Sequence, residues 1–327
     1  MAEPRILTYR EAVLEALFEE MRANADVVVI GEDVGAAGGV FKQTEGLFAE
    51  FGDKRVIDTP ISEPGAFGMA VGAAMSGLRP VFEVMFGDFM TLVMDQLVNQ
   101  AAKVRYMSNG TAKVPLVLRT TMGLGANLGP QHSQSFHAWA AHVPGLKIAI
   151  PSTPADAKGL WKAAIRDDDP VLIFEDRLLY TMKGEIPAGD HVVPLGQARI
   201  VREGRDVTLV AIGRMVEFAQ AAAKLLAAEG IEAEIIDPRT LVPFDTETVI
   251  ASVKRTHRAV VIDGAPRAYG VTGEIAATIA EEAFDWLDAP VARLAGANTP
   301  VPFSRSLEKL ARPDAKTIAQ QVRAMLS

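Results

Sequence analysis

Short apolar runs recur along this chain, and stretches of helical periodicity lie between them. "DVVVIGED", "PVFEVMF", "VPLVLRTT", "LKIAIP" and "VLIFE" read as buried strands. Helical patterns cover residues 64–77, 91–107, 133–141 and 154–166. The first helix is marked at its start. In "TYREAVLEALFEEMRANA", Thr8 and Glu11 have the spacing of a capping box, and Val13, Leu14, Leu17, Phe18 and Met21 form one apolar stripe. Thr153 and Pro154 suit the N-cap and first position of another helix. Strands that are apolar throughout and alternate with helices need a mostly parallel sheet covered on both faces.

The pattern breaks over residues 181–196, "TMKGEIPAGDHVVPLG", where glycine and proline recur without a period. A second alternation follows: "VTLVAIG", "RMVEFAQAAAKLLAAEG", "IEAEIIDP", "DTETVIASVKRTH", "RAVVIDG" and "VTGEIAATIAEEAF". The expected organisation is two α/β domains: residues 1–185, a linker at 186–200, and residues 201–327. At 327 residues and 49% hydrophobic content there is ample material for both cores.

Composition removes several functional classes. The net charge is −8 and the charges are dispersed, so no nucleic-acid groove is expected. Cysteine is absent, which excludes disulfides, thiolate metal sites and cysteine nucleophiles. The opening "MAEPRILTYR" lacks the pattern of a signal peptide. The longest apolar region, residues 64–78, is shorter than the roughly 20 residues of a membrane-spanning helix. A cytoplasmic protein is expected.

Three local features bear on chemistry. "GLGANLG" at 123–129 approximates a dinucleotide fingerprint, but its third glycine is one residue late and "GPQHSQ" follows rather than a helix. His132, His137 and His142 are spaced by five, about 140° apart on a helix, so they do not converge on one metal. His137 and His142 read as packed or surface residues. His132 precedes Ser133 and Ser135, either of which could cap a helix. A loop histidine there could exchange a proton or be purely structural. Glu63 stands before Pro64 and a small-sided helix containing Gly65, Gly68, Gly72, Ala73 and Ser76. It could simply complement the helix dipole. Alternatively, desolvation beside so small a surface would raise its pKa and make it a proton-transfer group.

Longer motifs are more specific. "GEDVGAAGGVF", "RVIDTPISEPG", "GLRPVFEVMFGDF", "DQLVNQAAKVRYMS", "GPQHSQSFHAW", "VPGLKIAIPSTPADAKGL" and "AIRDDDPV" occur in this order. With "GRDVTLVAIGRMV", "IEAEIIDPRTLVPFD" and "LDAPVARLAG", they resemble the beta subunit of the thiamine-diphosphate-dependent decarboxylating component of 2-oxo acid dehydrogenase complexes. That family includes pyruvate, branched-chain 2-oxo acid and acetoin dehydrogenases. The resemblance implies a transketolase-like pair of domains, pyrimidine-binding and C-terminal.

It also implies residue roles. Glu63 would hydrogen-bond the aminopyrimidine and promote formation of the cofactor ylid. Phe89 would pack on the pyrimidine, with Met85 on the same wall. His132 would steer substrate or the incoming lipoyl group. Glu32 and Asp95 resemble parts of an acidic relay, a further acid of which is Leu92 here. Leu116, Ala164, Ile165, Asp167 and Asp169 match a potassium site, although "RDDDP" also reads as a solvated helix end. Asp263-Gly264 stands where relatives often have an acid and alanine, and no chemistry is assigned to it.

The Gly-Asp-Gly and Asn-Asn motifs that hold magnesium and diphosphate in the alpha subunit are absent from this chain. The resemblance therefore implies a partner alpha subunit in a heterotetramer of two alpha and two beta chains, and a lipoyl acyltransferase core. The substrate would be a 2-oxo acid or acetoin, and "VMFGDF" tilts toward acetoin. Two other readings stay open: half of a split transketolase-like enzyme moving a ketol group, and a catalytically silent scaffold subunit.

Overall fold

The computed structural model describes residues 5–327. Two compact units are found. The first comprises residues up to Met122 together with Trp139–Leu195, and the second comprises Gly123–Ala138 and Gly196–Ser327.

The first unit begins with strand β1 (Arg5–Thr8), helix α1 (Tyr9–Ala23) and strand β2 (Val27–Gly31). Thr8 and Glu11 form the capping box that their spacing predicts. The chain continues through α2 (Leu47–Phe51), β3 (Val56–Asp58), α3 (Glu63–Met75) and β4 (Arg79–Val84). After α4 (Ala102–Met107) come β5 (Val117–Met122), α5 (His137–Ala141), β6 (Lys147–Ala149), α6 (Pro154–Arg166), β7 (Val171–Asp176) and β8 (Lys183–Ile186). The main sheet carries the order β6-β7-β5-β4-β2-β3, and each of these pairings is parallel. Helices α1 and α6 pack together on it, with Val13, Leu17, Leu160, Trp161 and Ile165 in the core. Thr153 caps α6, accepting from the Asp156 N–H.

Three details depart from the periodicity. Residues 91–107 do not make one helix. A 3-10 turn at Gly87–Leu92 is followed by a π-helical turn at Gln96–Ala101 and only then by α4. The helix expected at 133–141 is confined to His137–Ala141, because the preceding residues stay in an irregular loop. Within residues 181–196, Lys183–Ile186 form a strand, β8, antiparallel to β1.

The second unit has β9 (Arg199–Arg202), β10 (Val207–Ala211), α7 (Met215–Ala227), β11 (Ala233–Asp237), β12 (Thr240–Val242) and α8 (Thr246–Thr256). It ends with β13 (Ala259–Pro266), α9 (Val271–Glu282), β14 (Ala292–Gly296), α10 (Arg305–Leu310) and α11 (Ala315–Leu326). Its sheet runs β14-β13-β10-β11-β9, and only the edge strand β9 is antiparallel. Helices α7 and α11 pack side by side, and Leu209, Ile235, Ile262, Leu226 and Val322 fill the core.

The first unit also buries charge. Arg119 on β5 is 1% exposed and lies between carboxylates on the two neighbouring strands. Its Nε donates to Glu175 on β7 at 2.8 Å, and its Nη2 donates to the Tyr180 hydroxyl at 2.6 Å. Glu83 on β4 is ion-paired with it at 2.5 Å. The Trp161 indole N–H donates to the other Glu175 oxygen at 3.0 Å. Removing the cation would strand two buried carboxylates. Arg119→Leu is therefore expected to destabilise the first unit by about 3–5 kcal/mol. Urea denaturation checks this, and a loss below about 1 kcal/mol would show that the cluster does not hold the sheet.

Candidate active site

Parallel strands bring their carboxyl ends, and the loops that follow, to one edge of a sheet, the usual place for a site in such folds. In the first unit, Gly31 of β2 pairs with Asp58 of β3 and with Glu83 of β4. The residues that follow are Glu32, the 59–63 turn and Met85. Side chains and backbone tie these loops together. The Thr59 N–H donates to the Gly31 carbonyl at 2.9 Å. The Gly35 N–H donates to the Asp58 carboxylate at 2.7 Å. A side chain at Gly35 would put its Cβ 2.4 Å from that carboxylate, so only glycine allows the approach.

Glu63 opens α3, directly after the N-cap residue Ser62 and before Pro64. Its carboxylate is partly exposed and makes no hydrogen bond or ion pair among the described residues. Behind it, one side of α3 presents Gly65, Gly68 and Gly72; a Cβ at Gly72 would meet nothing within 4 Å. Glu32 is the neighbouring acid. Burial pushes its pKa above the ordinary carboxyl value, and the charges of Glu63 and Asp33 push it the same way.

The wall beside α3 is the segment after β4. Met85 is half-buried, and its carbonyl accepts from the Thr121 hydroxyl at 2.7 Å. Phe89 is half-buried in the 3-10 turn, which packs against α3. Its ring stands edge-on to Phe86 at 5.8 Å, and Phe86 meets Phe41 at 5.7 Å. Thus Glu32, Glu63, Met85 and Phe89 share the carboxyl edge of one sheet. Together they offer an acceptor carboxylate, an aromatic face and a helix side without bulk, groups that could hold a flat ring with hydrogen-bonding edges. No group of three or more His, Cys, Asp or Glu residues among the described residues is arranged to hold a metal ion.

The remaining residues singled out from the sequence lie elsewhere. Asp95 is exposed and accepts from Asn99 at 2.7 Å; Leu92 is exposed as well. The oxygens matched to potassium already have protein donors. The Leu116 carbonyl accepts from Val171 N–H, and that of Ala164 from Asp167 N–H. The Arg79 guanidinium donates to the Ile165 carbonyl at 3.0 Å. Lys147 holds the Asp167 carboxylate at 2.8 Å and that of Asp169 at 3.1 Å, and Arg105 holds Asp169 at 2.5 Å.

His132 is half-buried in the 123–138 segment of the second unit. The glycine-rich stretch before it runs into an irregular loop rather than a helix. Gly123, Gly125, Asn127 and Gly129 all have positive φ, a left-handed loop that accounts for the glycines. His137, read as a packed or surface residue, is fully buried and paired with Asp263 at 2.8 Å. That pairing and Glu308, which binds the loop backbone, had no signal in the periodicity. Their partners are far away in the chain.

Comparison with known proteins agrees with this architecture. The family model for the transketolase pyrimidine-binding domain matches residues 6–183, and that for the transketolase C-terminal domain matches residues 196–318. The chain belongs to the transketolase-like, thiamine-diphosphate-dependent family of beta subunits of 2-oxo acid and acetoin dehydrogenases. It is 48% identical over 99% of its length to the pyruvate dehydrogenase E1 component subunit beta of Rhizobium meliloti (strain 1021), spanning 70% of that protein. It is also 48% identical to the beta subunit of acetoin:2,6-dichlorophenolindophenol oxidoreductase of Bacillus subtilis (strain 168), over 93% of this chain and 92% of that one. The 2-oxoisovalerate dehydrogenase subunit beta of the same strain is 44% identical over 94% of this chain and 96% of its own. A solved structure described as a split gene transketolase, inactive beta4 tetramer, has the same fold, with a TM-score of 0.79 at 24% identity over 98% of both chains.

The raised pKa of Glu32 has a thermodynamic consequence. A carboxyl whose folded pKa lies above its unfolded value, about 4.3 for glutamate, binds more protons in the folded state. Stability then falls as pH rises from the unfolded value through the raised folded one. Glu32→Gln is expected to be more stable than the parent at pH 7–8, with the difference closing near pH 4. Thermal melts across that range test it; a difference independent of pH would disprove the assignment.

Proposed function

We propose that Glu63 is the residue through which this beta subunit acts on thiamine diphosphate, in a site completed by an alpha subunit. The observation that carries the reading is the Glu63 carboxylate itself, unpaired among the described residues at the first turn of a small-sided helix and close enough to Glu32 to perturb it. Thiamine diphosphate, when bound, supplies an acidic thiazolium C–H and an electron sink for the carbanion left by bond cleavage. Glu63 would hold the aminopyrimidine by a hydrogen bond at a ring nitrogen and so set where its protons reside. Phe89 and Met85 would pack its ring. His132 would act on substrate or on the lipoyl group that accepts the acyl product.

Magnesium and the diphosphate belong to the alpha subunit in this reading, since the chain has neither Gly-Asp-Gly nor Asn-Asn. Two alpha and two beta chains would make the enzyme, which would pass acyl groups to a lipoyl acyltransferase core in the cytoplasm. No helix among the described residues is long and apolar enough to cross a membrane. A potassium ion would have to share its oxygens with Lys147, Arg105 and Arg79, and no step depends on one. The substrate class is a 2-oxo acid or acetoin, the compounds in the names of the relatives at 44–48% identity. Ketol transfer is not favoured, because the likeness to transketolases at 24% identity or below concerns the fold alone.

The test is Glu63→Gln in the assembled enzyme. The amide keeps the shape and loses the ability to share a proton in the same way. Exchange of the thiazolium proton with deuterated water is expected to slow by about 10²–10⁴-fold, with assembly unchanged. A parental exchange rate would remove Glu63 from this role.

A further inference from the structure

The loop bearing His132 leaves the first unit after β5 and is held by side chains of the second. Glu308, on α10, is 2% exposed. Its carboxylate accepts from the Gly125 N–H at 2.7 Å, the Asn127 N–H at 3.2 Å and the Asn127 side-chain amide at 3.0 Å. No Lys, Arg or His side chain pairs with it among the described residues. A buried carboxylate satisfied only by N–H groups is costly to leave unmade and strongly directional, so it fixes this backbone rather than merely attracting charge.

Two further anchors act along the same loop. The Arg214 guanidinium donates to the Leu124 carbonyl at 3.3 Å. At the far end, His137 Nε2 meets the Asp263 carboxylate of β13 at 2.8 Å, with both residues buried. Burial works to raise the Asp263 pKa, but the His137 ring and the N–H groups of Gly264 and Ala265 outweigh it and lower the value. His132 therefore sits between two buried clamps, Glu308 at Gly125–Asn127 and Asp263 at His137. Gly123, Gly125, Asn127 and Gly129 have positive φ, and Glu308 accepts from the backbone N–H of two of these four residues.

We infer that Glu308 is a positioning residue for His132, and that the C-terminal domain thereby sets how the acyl group is handed to the lipoyl acceptor. The inference rests on the role proposed above for His132. Glu308 touches neither substrate nor cofactor in this account. It acts by holding the loop, so its loss should impair the step that uses His132 more than the steps before it. Misplacing a reacting group by about 1 Å costs on the order of 10²-fold.

The experiment uses the assembled alpha and beta enzyme with whichever of pyruvate, 2-oxoisovalerate or acetoin it turns over. Two rates are measured: turnover with an artificial dye as acceptor, and acylation of an isolated lipoyl domain. Glu308→Ala, His132→Ala and the double variant are compared. Asn127→Gly, which removes one donor and suits positive φ, is a milder second variant. Lipoyl acylation is expected to fall about 10–100-fold more than dye-coupled turnover in Glu308→Ala, and by less in Asn127→Gly. The double variant should be no slower than His132→Ala, because groups acting through one another are not additive. Hydrogen exchange at Gly125 and Asn127 should rise in both clamp variants. If His132→Ala slows acylation but Glu308→Ala does not, or the two losses add, the positioning role is overturned and the His132 reading stands. If His132→Ala leaves acylation untouched, the reading fails and the inference falls with it. Should Glu308→Ala not assemble, Asn127→Gly decides by the same criteria.

Discussion

The parallel register of the first sheet is the constraint on which the candidate site depends. Once β2, β3 and β4 run the same way in register, their carboxyl ends are neighbours. Glu32, the turn leading to Glu63, and the Met85–Phe89 wall must then emerge along one edge. No local sequence preference brings them there; backbone pairing does. The buried Arg119 of β5, joined to carboxylates on β4 and β7, adds an electrostatic tie across the adjoining strands of the same sheet. Such a tie is a poor source of net stability but a strong penalty on mispairing.

At that edge, two acids are close enough for one to feel the other. Both are half-buried; burial raises the Glu32 pKa, and the charges of Glu63 and Asp33 raise it further. Glu63 is left partly exposed, with a carboxylate that the described chain does not occupy. The aromatic ladder from Phe89 through Phe86 to Phe41 supports the flat side of the same space.

Much of this was legible in the residues because it is local. The strand–helix alternation reports the parallel sheets, and Thr8 and Thr153 mark helix starts that the structure keeps. Glu63 was visible because it precedes a helix lacking side-chain bulk. The illegible parts depend on distant partners. Residues 91–107 have helical periodicity, yet the backbone is interrupted by a π-helical turn. The 133–141 pattern yields a helix only from His137, because its first residues belong to the loop that enters the second unit. Glu308 lies 183 residues from Gly125, and Asp263 lies 126 from His137. No window of neighbouring residues contains either pairing.

The detour of residues 123–138 into the second unit also governs how such a chain can be cut and recombined. A gene fragment ending at Leu195 would encode the His132 loop but not Arg214, Asp263 or Glu308, which hold it. The two domains are therefore not interchangeable cassettes. A chimaera joined at residue 195 would inherit the loop from one parent and its anchors from the other. A substitution in the loop and one among its anchors would have to be compatible, although residues 139–195 of the first unit lie between them in the sequence.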